Sequence, residues 1–241
     1  MNRNKKIDIT FIIAIKEISK NLCDTINSIC RVKTDILFEI IIMNKSAIGA
    51  IRKKKMLKLI NYKDSGIYDA WNEAIKISKG NFISFIGDDD ILLENYFATY
   101  SKYLEKNNVD LILTKSIGKN TRKIFGENWN WKKMKRYMNI SHVGSLHSRN
   151  IFKKYGYFDI KYKICADYDF FLRTNNQLNI VYIDIPTVII GENGVSRNLF
   201  VMAIYETFKI KKIHNTSYIF ILIIDFLIAI LKIYLRKIIK F

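Results

Sequence analysis

Three near-continuous apolar runs, Ile7–Ile15, Phe38–Met43 and Phe82–Ile86, constrain this chain more than any other feature. They are rich in β-branched and aromatic residues and lack polar alternation, as strands covered on both faces do. Segments of helical spacing separate them. Ser19 offers an N-cap, and Leu22, Ile26 and Ile29 follow at helical intervals. Ile67–Ser78 predicts a helix closed by Gly80 at its C-cap, Glu94–Lys106 another helix, and Val109–Thr114 another strand. Strands that alternate with helices predict an α/β domain with a largely parallel sheet.

Composition agrees with one packed domain. Of 241 residues, 49% are hydrophobic and 26% charged, and one proline with ten glycines leaves little material for linkers. The formal charge of +18 raises nucleic acid as a partner, but lysine is spread over the whole chain, and we read no nucleic-acid site. Cys23, Cys30 and Cys165 form no CxxC pair, the pattern of reduced thiols in a cytosolic protein. The opening MNRNKKIDITFIIAIKE has a leader-like profile, yet Asp8 interrupts it and no small-residue cleavage site follows, so a first strand is expected.

An α/β sheet binds ligands beyond the carboxyl ends of its strands. Asp88, Asp89 and Asp90 follow directly on the run Phe82–Ile86, which places them at that edge. A helix cap would need one aspartate; three adjacent carboxylates repel one another and call for water or a cation. Oxygen ligands suit Mg²⁺ or Mn²⁺, ions held by one or two carboxylates together with substrate phosphates. The triplet therefore predicts a phosphorylated ligand whose departing diphosphate a metal assists.

The stretch DSGIYDAWNEAI, followed by SKGNFISFIGDDD, resembles the signature of family 2 glycosyltransferases through Asp64, Gly66, Ile67, Tyr68, Asp69, Ala70 and Asn72, then Gly80, Phe82, Phe85, Asp89 and Asp90. A second block, HVGSLHSRNIFKKYGYFDIKYKICADYDFFLR, is similar to the acceptor-side segment of that family through His142, Phe152, Gly156, Phe158, Asp159 and the ADYD run, Ala166–Asp169, ending in Leu172 and Arg173. GENGVSRN at 191–198 resembles a loop that follows in many members. The likeness runs over roughly residues 7–200. It implies the GT-A fold, a Rossmann-like α/β/α sandwich with a mostly parallel central sheet, in enzymes of bacterial surface-polysaccharide type.

Carried over from the family, Asp167 matches the general base on the acceptor hydroxyl. Asp90 and Asp88 match metal ligands, while Asp88, Asp89, Asp64 and Asp69 border the nucleotide-sugar pocket, with Asn44 near the base. His142 and Asp169 lie on the acceptor side, where Trp129 and Trp131 could stack on a sugar ring or simply pack in the core. Asp167 and Asp169 equally suit the first turn of a helix. One base and one metal suit transfer with inversion from a nucleoside-diphosphate sugar. His147 and His214 show no partner in sequence, and no zinc spacing appears.

The chain departs from the family pattern twice. AIKE, Ala14–Glu17, replaces a P-T-Y-N type strand end, and MNKSAIG, Met43–Gly49, lacks two carboxylates, with Asn44 and Ile48 near their places. The end of the chain adds a second expectation. Tyr218–Leu231 would make a helix of about 21 Å, short of the roughly 30 Å of a bilayer core. Asp225, Lys232, Arg236 and Lys240 would fall on one stripe at about 100° per residue. This suits a helix in the membrane interface, or one packed on the domain or a second subunit.

Together these readings predict a glycosyltransferase domain over 1–215 and an amphipathic helix over 216–241. The protein would work on the cytoplasmic face of the inner membrane, adding one sugar to a glycan, as of a lipid-linked surface polysaccharide such as O-antigen, capsule or lipooligosaccharide. Homo-oligomerisation is left open. A sugar-phosphate nucleotidyltransferase would need a glycine-rich loop after the first strand, and KEISKN has none. A non-catalytic nucleotide-sugar-binding or scaffold relative remains the alternative.

Overall fold

The computed structural model describes residues 6–46, 56–106, 108–191, 199–216 and 227. Its first run becomes strand β1 (Ile9–Ile15), fully parallel to β2 (Phe38–Asn44) and to β4 (Phe82–Phe85). Strand β3 (Leu57–Asn61) extends this parallel half beyond β2. Along β1 the side chains divide between two cores, which is why the run carries no polar face. Phe11, Ile13 and Ile15 pack against helix α1 (Lys20–Arg31) and helix α3 (Tyr96–Leu104), whereas Ile12 turns to helix α2 (Ile67–Ile77) and helix α6 (Ala166–Arg173). Ser19 caps α1 as expected, accepting from the Leu22 amide at 3.2 Å.

Gly80 does not cap α2. Ser78 is the C-cap, and a Cβ on Gly80 would stand 2.5 Å from the Thr10 amide nitrogen. Glycine is there to let the chain pass close to β1. Asp8 stands just before β1 and accepts the Leu37 amide at 2.8 Å. The three cysteines are free.

The other half of the sheet is mixed. Strand β8 (Leu146–Ser148) enters antiparallel between β4 and β6 (Leu111–Gly118), and β6 pairs in parallel with β9 (Ile180–Ile190). Two short strands, β5 (Ile91–Leu92) and β7 (Ile124–Phe125), close on β9 and β6. Among the described residues the order is β3-β2-β1-β4-β8-β6-β9-β5, with β7 beside β6. Helices α4 (Trp131–Met134), α5 (Arg149–Tyr155) and α7 (Phe200–Ile213) complete the described elements.

Among the described residues no helix is long and apolar enough to cross a membrane. The expected amphipathic segment, with Asp225 and its basic stripe, lies outside the described residues, as do Ile48 and most of GENGVSRN.

Candidate active site

Strands β1, β2 and β3 end in register, with Ile15, Asn44 and Asn61 side by side. The chain leaves β3 and enters α2 at this edge, and it leaves β4 there through Gly87 and the three aspartates. One edge of the sheet therefore carries two acidic corners.

In the first corner, the Thr25 hydroxyl of α1 donates to the Asp88 carbonyl at 3.0 Å and anchors the turn. Asp90 is buried, 4% exposed, and each of its oxygens accepts a backbone amide, Gly87 at 2.5 Å and Gly191 at 2.8 Å. Burial lifts its carboxyl to about 6 against those two bonds, and the charges of Asp89 and Asp88 add to the rise. Asp89 is raised as well, by burial and then by Asp88. Its carboxylate lies against Gly191 so closely that a Cβ there would meet Oδ2 at 1.8 Å. The end of β9 thus forms one wall of the aspartate corner.

Asp64 and Asp69 shape the loop beside it. Asp64 accepts the Gly66 amide at 3.0 Å and the Lys45 ammonium at 3.1 Å. Asp69, in the first turn of α2, accepts the Ser65 amide and hydroxyl at 2.8 and 3.0 Å, and the Tyr62 hydroxyl at 3.4 Å. Burial opposes its charge, but these donors hold it below the usual carboxylate range. The Asn44 amide donates to Asn61 and accepts from Ser46.

The second corner belongs to α6. Asp167 stands in its first turn, and Oδ1 accepts the Tyr168 amide at 2.9 Å and the Tyr68 hydroxyl at 3.0 Å. Tyr68 lies in the first turn of α2, so this corner faces the same sheet edge as the aspartate triplet. Burial lifts Asp167 to about 6 against those bonds, with the charge of Glu206 adding to the rise. A carboxyl there is poised to take up or release a proton near neutrality.

The remaining predicted residues are more deeply tied into the fold. Asp169 accepts Arg173 Nε at 3.0 Å and His214 Nε2 at 2.9 Å, so the histidine that lacked a partner in sequence finds one here. His142 is buried and stacks on Phe85 and Trp71, and burial holds its imidazole neutral by lowering it to about 3. Trp129 and Trp131 stack at 6.3 Å, the first also donating to Asn176 and edging Phe171. Both tryptophans are half-buried against the core.

Sequence reading gave no role to Gly191, Tyr68 or Glu206. Gly191 and Tyr68 lay inside the quoted motifs, so a signal existed. Glu206 had none, because FVMAIYETFKIKKI spreads its charged residues around the helix without an amphipathic period, and α7 was not predicted.

Residues 10–175, more than half of the chain, match the profile of Glycosyl transferase family 2. The chain is 28% identical over 142 residues to the PGL/p-HBAD biosynthesis glycosyltransferase Rv2957 of Mycobacterium tuberculosis (strain ATCC 25618 / H37Rv), covering 57% of this chain and 56% of that one. It thus spans only a little over half the length of that relative. Over 192 residues it is 26% identical to the uncharacterized glycosyltransferase YwdF of Bacillus subtilis (strain 168), covering 73% and 71% of the two. The crystal structure of S. aureus TarS 1-349 in complex with UDP-GlcNAc superposes with a TM-score of 0.67 at 17% identity, over 86% of this chain and 66% of that one. That likeness shows a shared GT-A-type fold. The chain belongs to glycosyltransferase family 2.

Proposed function

We propose that the protein transfers one sugar, with inversion, from a nucleoside-diphosphate sugar to a hydroxyl of a glycan acceptor. The observation that carries this reading is Asp167, a carboxyl raised to about 6 at the same sheet edge as the aspartate triplet. The hydrogen bonds from Tyr68 and Tyr168 both fall on Oδ1, and we assign Oδ2 to the acceptor hydroxyl. A sugar hydroxyl attacks poorly until a carboxylate takes its proton, and a base near neutrality serves that step. Inversion follows if the acceptor attacks from the Asp167 side while the diphosphate leaves toward Asp88–Asp90.

The aspartate corner fits Mg²⁺ or Mn²⁺. Its donors are hard oxygens, and burial with mutual repulsion raises both Asp89 and Asp90, a cost that a divalent charge would offset. Among the described residues no three His, Cys, Asp or Glu side chains form a ligand set. Ions of this kind are commonly held by one or two carboxylates plus substrate phosphates. We assign Asp90, fixed by two amides, and Asp88 as the ligands, with Asp89, Asp64, Asp69 and Asn44 around the donor. When bound, such an ion would neutralise charge growing on the leaving diphosphate.

A lipid-linked surface polysaccharide is the acceptor class we favour, approached from the cytoplasmic membrane face. Residues 217–241, apolar and basic by sequence, support that placement. The first test is a thermal-shift panel of UDP, dTDP, GDP and CMP sugars with and without Mn²⁺. Metal-dependent stabilisation by one nucleotide class is expected. Stabilisation by none would favour a non-catalytic relative.

A further inference from the structure

Glu206 lies on the inward face of α7, 6% exposed, some 40 residues beyond the catalytic corner. Its carboxylate accepts three successive backbone amides: Lys163 at 2.7 Å on Oε1, and Ile164 and Cys165 at 2.9 Å each on Oε2. A run of consecutive N–H groups around one anion is a nest, and here it opens directly at the N-terminal end of α6. Two further contacts repeat the attachment to α7. Cys165 Sγ reaches the Ala203 carbonyl at 3.5 Å, and His214, just past the helix, holds Asp169. The same short loop is held from the other side by Tyr68, whose hydroxyl donates to the Ile164 carbonyl at 2.6 Å and to Asp167 Oδ1 at 3.0 Å.

We propose that Glu206 is a positioning residue for sugar transfer, setting the place and basicity of Asp167 by clamping the backbone of residues 163–165. The inference rests on the assignment of Asp167 as base in the reading above. The Tyr68 hydroxyl has one proton for two acceptors, so any shift of the Ile164 carbonyl re-divides that proton between loop and base. Hydrogen bonds to the ionised form lower a carboxyl's pKa, and a nearby negative charge raises it. The titratable groups facing Asp167 are Tyr68 from α2, Cys165 from its own loop and Glu206 from α7. Release of the clamp sends more of the Tyr68 proton to Asp167, and loss of the Glu206 charge removes a repulsion. Both changes weaken the base.

The test uses the full chain with Glu206→Gln, which keeps size and one acceptor oxygen, and Glu206→Ala as the larger lesion. Hydrogen exchange at the amides of Lys163, Ile164 and Cys165 is expected to quicken by about tenfold or more in the Gln variant. The Asp167 midpoint, followed by carboxyl-carbon NMR of the apo protein against an Asp167→Asn reference, is expected to move to lower pH. With the donor found by the nucleotide panel, kcat should fall about 10- to 100-fold while donor KM stays within about twofold, because misplacement of a reacting group costs rate more than binding. An active Glu206→Gln enzyme with wild-type kcat and an unmoved acidic limb overturns the proposal, as does unchanged amide exchange. If no donor binds and no sugar is transferred, the transferase reading fails on its own. Exchange and the Asp167 midpoint still decide the clamp: both shifting sustains it, and an unmoved midpoint overturns it.

Discussion

Asp90 and Asp167 stand at the same edge of the sheet, and burial lifts both carboxyls to about 6, yet their corners are built differently. Asp90 is sealed, with a backbone amide on each oxygen and two further aspartates beside it. Asp167 is half-buried and accepts Tyr68 and Tyr168 on the same oxygen, Oδ1. A carboxyl fixed on both sides among like charges suits holding a cation. One bonded by tyrosine donors and outside the aspartate triplet suits moving a proton, the role we propose for it. Equal pKa values therefore need not mean equal roles, and the two hydrogen-bond patterns differ as the proposed roles require.

The largest expected effect comes from breaking the corner proposed to move a proton. Asp167→Asn should lower kcat by about 10²–10⁴-fold, the usual worth of a general base, with donor affinity nearly unchanged. Equal loss of donor binding would place Asp167 in the other corner. In the wild type, kcat/KM should rise with pH through about 6 as Asp167 loses its proton.

The corner proposed to hold a cation should show itself in stability. Asp90 is raised from 3.8 to about 6, so between those values the folded state keeps a proton that the unfolded chain has lost. Its contribution is full below the lower value and disappears as pH rises through the upper one, a loss of about 3 kcal/mol at about 1.4 kcal/mol per unit. Melting in EDTA across pH 4 to 7 should show this fall, Asp90→Asn should flatten it, and Mn²⁺ with nucleotide should reverse it. Asp167→Asn should flatten it to a similar degree, since burial raises that carboxyl to about the same value.

Gly191→Ala sharpens the contrast further. The new methyl meets Asp89 Oδ2, a movable group, so the fold should survive while donor Kd rises by about tenfold and kcat at saturating donor holds. The smallest effect is reserved for Lys45→Ala. Its pair with Asp64 is formed by a lysine 42% exposed, and its loss should cost less than about 1 kcal/mol in denaturant titration.

Much of the parallel half of the sheet was legible because its evidence is local. β1, β2 and β4 are predominantly apolar, and Ser19 stands where a cap belongs. The mixed half was not. β8 has three residues, too few for any period, and β9 carries Pro186 at a register shift opposite Lys115, where proline interrupts the strand signal. In the site, the triplet and the ADYD run were readable as motifs. That Asp169 is spent on Arg173 and His214, or that His142 lies sealed under Phe85, was not.

The sequence alone determined which segments must be covered on both faces and that three carboxylates follow one of them, since burial pattern and charge spacing are properties of neighbours along the chain. Only the tertiary structure decided how each carboxyl is bonded and buried. Those outcomes depend on groups far away in sequence: Gly191 on Asp90, Tyr68 on Asp167, and Glu206 on the loop before α6. Desolvation and hydrogen bonding set a carboxyl's chemistry, and both are decided by what packs against it.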